Sequence, residues 1–186
     1  MTYTFTIFSP LFFQNRFPMK KIIVLSFCLL FAISASYGQH TFVEGCLGNW
    51  KGTMYIYSRG VLKDSVLVKF TAAKTEKSDA WTWKTEYLSP KQPMIKDYVL
   101  RTRDAAKGHY LTDEGGGIEL LDYLFDNKLY CVFETSNIVL TSTYELRSSN
   151  ELIFEVTSGK KVSEGNAPVI NYSVDNLQRV VFRKME

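Results

Sequence analysis

The chain has 186 residues, 46% of them apolar and 22% charged, with 22 Lys and Arg against 19 Asp and Glu for a formal charge of +3. That length suits one domain plus a short targeting segment, and the composition excludes a disordered or low-complexity chain. A positive balance points towards nucleic acid or an anionic membrane only if it belongs to the folded part.

It belongs to the leader. Residues 1–38 contain no Asp or Glu, and within them Met19-Lys20-Lys21 runs into the apolar stretch from Ile22 to Ala35, then Ser36-Tyr37-Gly38. A short basic start, an apolar run and small residues form the three-part pattern of a secretory signal peptide. Ser36 and Gly38 suit the positions just before a cleavage site, which predicts a mature chain from Gln39. The apolar run is shorter than the roughly 20 residues that a spanning helix needs, so no stable membrane insertion is expected. Met19 is the natural initiator of this pattern, with residues 1–18 as either an upstream extension or a long basic region. Cys28 is not in a lipidation context, because Phe27 precedes it where a small residue is needed.

Arg16, Lys20 and Lys21 leave with the leader, so 19 basic residues face 19 acidic ones in the 148 residues of 39–186. No basic run longer than Lys160-Lys161 remains. Nucleic-acid binding loses its electrostatic footprint. The mature chain is therefore read as an exported monomer, periplasmic or extracellular, with no nucleic-acid partner.

Residues 39–186 form one domain of short strands. Segments rich in β-branched and aromatic residues are predicted at 52–57, 65–73, 80–88, 96–103, 109–113 and 118–125. Others follow at 129–135, 138–147, 152–157, 169–174 and 178–184. Turn formers divide them every eight to twelve residues or so, the spacing of an all-β sandwich or barrel. The short links favour hairpins between neighbours, hence an antiparallel up-and-down β-barrel of about eight to ten strands. The longest irregular stretch, 158–168, is read as a loop at one mouth.

Cys46 and Cys131 remain after export, and an oxidising compartment permits a disulfide between them. The alternative is two free thiols, since Cys131 lies between Leu129 and Phe133, where Cys packs as a small hydrophobe. No Cys-x-x-Cys or His–Cys cluster supports a metal.

The first strand opens Leu47-Gly48-Asn49-Trp50-Lys51-Gly52 and the last reads Gln178-Arg-Val-Val-Phe-Arg-Lys184. This pair of ends resembles the lipocalin and fatty-acid-binding (calycin) superfamily, and is most similar to compact, lidless bacterial lipocalin-like proteins. The resemblance implies that Trp50 plugs the closed end of the barrel, with Gly48 and Gly52 allowing close approach. It also implies that a basic residue of the last strand, Arg179 or Arg183, covers the indole. The lid helices of the fatty-acid-binding branch have no room between Tyr57 and Ser65. The expected function is binding of a small, mostly apolar ligand in the barrel. The alternatives are a filled-core envelope or partner-binding module and an isomerase- or cyclase-type enzyme.

Two groups are candidates for the ligand. Trp81 and Trp83 share a face with Tyr87 and are expected to line the interior. Arg101, Arg103, His109 and Asp113 fall on one face of a hairpin folded at 104–108. Turned inward they would clamp a carboxylate; turned outward they are a salt-bridged solvent face. Asp97, Asp113, Glu114, Glu119 and Asp122 are plentiful acids that no motif pairs, and no nucleophile or phosphate-loop motif occurs. No cofactor is implied: the late-strand His that binds haem in some lidless barrels has no counterpart after His109.

Overall fold

The computed structural model describes residues 42–162 and 171–186. The predicted signal segment and the expected cleavage site lie outside them. Among the described residues ten strands follow one another: β1 Gly48–Ser58, β2 Val61–Lys74, β3 Ala80–Tyr87, β4 Met94–Asp104 and β5 His109–Gly115. Then come β6 Ile118–Phe125, β7 Lys128–Thr135, β8 Ile138–Ser148, β9 Glu151–Val162 and β10 Asn171–Lys184. Each pairs antiparallel with its sequence neighbour, and β1 pairs with β10 to close the barrel. Closure leaves no unpaired sheet edge among the described strands.

The turns are built from the residues their geometry demands. Arg59-Gly60, Gly116-Gly117 and Ser136-Asn137 each carry two consecutive positive φ angles, the two-residue hairpin form whose twist matches the flanking strands. Along each strand, alternate side chains point into the barrel. Trp50 and Met54 on β1, Val68, Phe70 and Ala72 on β2, and Val180 and Phe182 on β10 are buried there.

Two boundaries differ from expectation. Residues 158–162 belong to β9 rather than to a loop, and 163–168 lie outside the described residues. The predicted pieces 169–174 and 178–184 form one strand from Asn171 to Lys184. The pairing with β9 runs on through Asp175-Asn176 with an irregularity between Val174 and Asn176.

One end of the barrel is plugged. Trp50 is 0% exposed, and its Nε1–H donates to the Cys46 carbonyl at 2.7 Å. The helical stretch 42–46 brings Phe42, Val43 and Cys46 into the same cluster. At Gly52 a Cβ would stand 2.5 Å from the Val181 carbonyl oxygen, so β1 and β10 approach there as only glycine allows.

The basic residue over the indole is Lys184, its Nζ 5.1 Å from the ring centroid. This corrects the expectation of Arg179. Val180, Phe182 and Lys184 take the inward parity of β10, leaving 179 and 183 outside. There Arg179 lies 3.7 Å from Glu155, and Arg183 pairs with Glu151.

The disulfide is not formed. Cys46 and Cys131 are both free and buried. Cys46 belongs to the plugged end, whereas Cys131 sits in the wall of β7 paired with Asp122 and Ser142. Burial pushes each thiol up to about 12.

Candidate functional site

Above the plug the barrel is hollow. A cavity of about 440 Å3 is lined by inward residues of β3 through β10, within the range of small-molecule sites. Its floor is aromatic. Tyr144 stacks on Phe154 at 4.4 Å and meets Trp83 edge-on at 5.2 Å, while Phe70 packs edge-on against Trp83 from below at 4.9 Å. These rings come from four strands, β2, β3, β8 and β9, each of which turns a bulky residue inward at this end of the cavity. Offset and edge-to-face contacts of this kind hold the rings in place beyond their burial alone. The Tyr144 hydroxyl is hydrogen-bonded to Thr85, and burial pushes its ionisation far above the usual range.

The two sides of the cavity differ. Leu129 and Phe133 on β7, Leu140 on β8, and Phe154 and Val156 on β9 make an apolar wall. Beside it, Lys96 and Tyr98 on β4, Thr112 and Glu114 on β5, and Asp122 on β6 make a polar one. Asp122 is 4% exposed. Thr112 Oγ1 donates to its Oδ2 at 2.9 Å, and the Cys131 thiol also bonds to it. These bonds favour the carboxylate, but burial outweighs them and raises Asp122 from 3.8 to about 6. Glu114, next inward on β5, is hydrogen-bonded to the Tyr98 hydroxyl and adds to the rise. Burial and then Glu114 push Tyr98 upward, so it remains a neutral donor.

Of the residues expected at the ligand, Trp83 lines the cavity. Its indole nitrogen is buried and has no hydrogen-bond partner among the described residues. Trp81 shares its inward parity but is buried in the core cluster and does not line the cavity. Arg101, Arg103 and His109 are on the outer face, correcting the inward clamp. Arg101 Nη2 lies 3.2 Å from Asp113 and 2.5 Å from Glu119. Arg103 is exposed, and His109 stacks flat on Tyr123 at 4.4 Å. The reason is parity: Tyr98 and Leu100 take the inward positions of β4, as Tyr110 and Thr112 do on β5.

Asp122 and the Tyr98–Glu114 pair are the site residues that motif searching missed. A signal existed in Leu120-x-Asp122-x-Leu124, where an acid holds a position that alternation assigns to the interior. Among the described residues no group of three His, Cys, Asp or Glu side chains could hold a metal ion, and no helix is long and apolar enough to cross a membrane.

No family model matches this sequence, and no curated protein matches it. Solved structures do share the barrel. An S-type phycobiliprotein lyase, CPES, from Guillardia theta superposes with a TM-score of 0.58 at 8% identity, over 84% of this chain and 98% of that one. A protein of unknown function from the DUF3598 family of Nostoc punctiforme superposes with a TM-score of 0.55 at 11% identity. That match covers 77% of this chain and 49% of the other, so this barrel corresponds to about half of it. The fold is lipocalin-like. At these identities the likeness is one of architecture. The lipocalin-like barrel here closes with ten strands, plugs one end with Trp50 and leaves the lumen between Trp83 and the opposite mouth.

Proposed function

We propose that this chain is an exported lipocalin-like barrel that holds a small, mostly apolar ligand in its lumen. The observation that carries the reading is the cavity of about 440 Å3 with its floor of Trp83, Tyr144 and Phe154. Burial of a guest's apolar surface there contributes about 25 cal/mol per Å2 before the cost of immobilising it. A filled core acting only at its surface fits this volume poorly. An isomerase or cyclase would need an inward acid or base; His109 and Asp113 lie on the outer face, and the inward acids of the lumen are Asp122 and Glu114. Export rests on the Met19–Gly38 pattern and on the neutral balance of residues 39–186.

Native mass spectrometry of the protein purified from its own host tests both parts together. The expected result is a chain beginning at Gln39 that retains a small molecule released on unfolding. A chain that keeps residues 19–38 would overturn export. A lumen that neither arrives occupied nor takes up apolar fluorophores would overturn carriage.

A further inference from the structure

The asymmetry of the lumen narrows the class of guest, on the premise that the lumen is the binding site. Thr112 and Glu114 are successive inward residues of β5. Asp122, bonded to Thr112, continues the same patch onto β6. Two carboxyl groups thus share one wall, close enough for Glu114 to act on Asp122. The other titratable groups that face this patch are the phenols of Tyr87 on β3, Tyr98 on β4 and Tyr144 on β8 and the thiol of Cys131 on β7. None of them supplies a positive charge. The one cation among the described lining residues is Lys96, whose Nζ lies 5.8 Å from the centroid of the Tyr98 ring. An anionic head group carried past Lys96 would meet two like charges in a low-dielectric site, where repulsion is strong.

The floor adds an independent demand. The Trp83 indole N–H, in a side chain 1% exposed, has no hydrogen-bond partner among the described residues, and the residue lines this same cavity. A guest with an aromatic face packs against the floor of Trp83, Tyr144 and Phe154.

We infer that the lumen selects an amphiphilic amine, its ammonium group held by Asp122 and Glu114 and its apolar or aromatic tail resting on the Trp83–Tyr144–Phe154 floor. Charge-assisted hydrogen bonds to carboxylates are about twice as strong as neutral ones, and burial strengthens them further. Holding the cation requires Asp122 to be ionised. Amine affinity therefore falls as pH drops through about 6, where the carboxyl takes up a proton.

Three probes that differ only in head group test this: phenylbutylamine, phenylbutanol and phenylbutyrate, titrated into the full protein and followed by tryptophan fluorescence and calorimetry. At about pH 8 the amine is expected to bind about tenfold or more tightly than either partner. That advantage shrinks in Glu114→Gln, and its dependence on pH is lost in Asp122→Asn. Equal binding of all three probes, tighter binding of phenylbutyrate, or an amine advantage unchanged in both variants would overturn the inference while leaving the lumen a binding site. Failure of all three probes to bind would overturn the lumen reading itself.

Discussion

Lys184 stands over the indole of Trp50, with Nζ 5.1 Å from the ring centroid, and joins the last strand of the barrel to the first. The two residues are also direct partners in the β1–β10 register. Closure and plugging therefore depend on the same pair. Replacing Lys184 by Ala is expected to cost about 0.5–2 kcal/mol of stability, the range for a cation on a Trp face. Arg179→Ala, which removes an outer-face pair at 3.7 Å, should cost no more than about 1 kcal/mol. Urea unfolding of the two variants distinguishes them. An Arg179 variant that loses more than the Lys184 variant would contradict this arrangement.

Gly52 makes a second prediction about closure. Its absent Cβ leaves room for the Val181 carbonyl, which would otherwise be 2.5 Å away, and for Val180 Cγ2 at 2.7 Å. Gly52→Ala should destabilise by about 1–3 kcal/mol through forced separation of β1 from β10. Thermal unfolding measures it; an unchanged midpoint would mean that the strands are less tightly apposed.

Stability should also depend on Asp122. Its pKa is about 6 in the folded protein against an ordinary 3.8, with burial the main cause. Between these values the folded state binds the proton more readily than the unfolded chain. The stabilising contribution is complete below about pH 4, is lost as pH rises through about 6, and is absent above it. The swing is on the order of 2–3 kcal/mol, and Asp122→Asn should remove it. Unfolding curves taken at several pH values, for wild type and variant, carry the test. The same slope in both proteins would place the titration elsewhere.

The thiols give a third kind of test. Cys46 and Cys131 are free, buried and held up at about 12, so neither presents a thiolate near neutrality. Thiol reagents should label them only on unfolding, and a reductant should leave the melting temperature unchanged. A reductant-induced drop of several degrees would reveal a disulfide.

Much of the barrel can be read from the residues because a strand that buries one face must alternate. Trp83 with Tyr87, and Val66 with Val68 and Phe70, declare their shared inward faces without further help. Trp50 is legible as the plug through the resemblance that Gly48-Asn49-Trp50-Lys51-Gly52 carries. Alternation is less decisive where both faces carry polar residues. On β4, the even positions Lys96 and Tyr98 look no more internal than Asp97 and Arg101. The direction of the Arg101–His109 hairpin is therefore set by its neighbours, with Leu100 and Tyr110 drawn into the core. The choice of Lys184 over Arg179 likewise depends on the β1–β10 register, which no local pattern reveals. Asp122 stayed hidden for a different reason. Its meaning comes from the barrel it faces, and from Thr112 ten residues away.

A working ligand site between Trp83 and the mouth must lose its guest when the lumen is filled. The most direct test is the binding of an apolar fluorophore to wild type and to Leu140→Trp, which fills the cavity from β8 without touching the plug at Trp50. Saturable binding near one molecule per barrel, abolished in Leu140→Trp while that variant still unfolds cooperatively, is the expected result. Binding of equal affinity to the filled and unfilled barrels would place the ligand elsewhere and contradict the account.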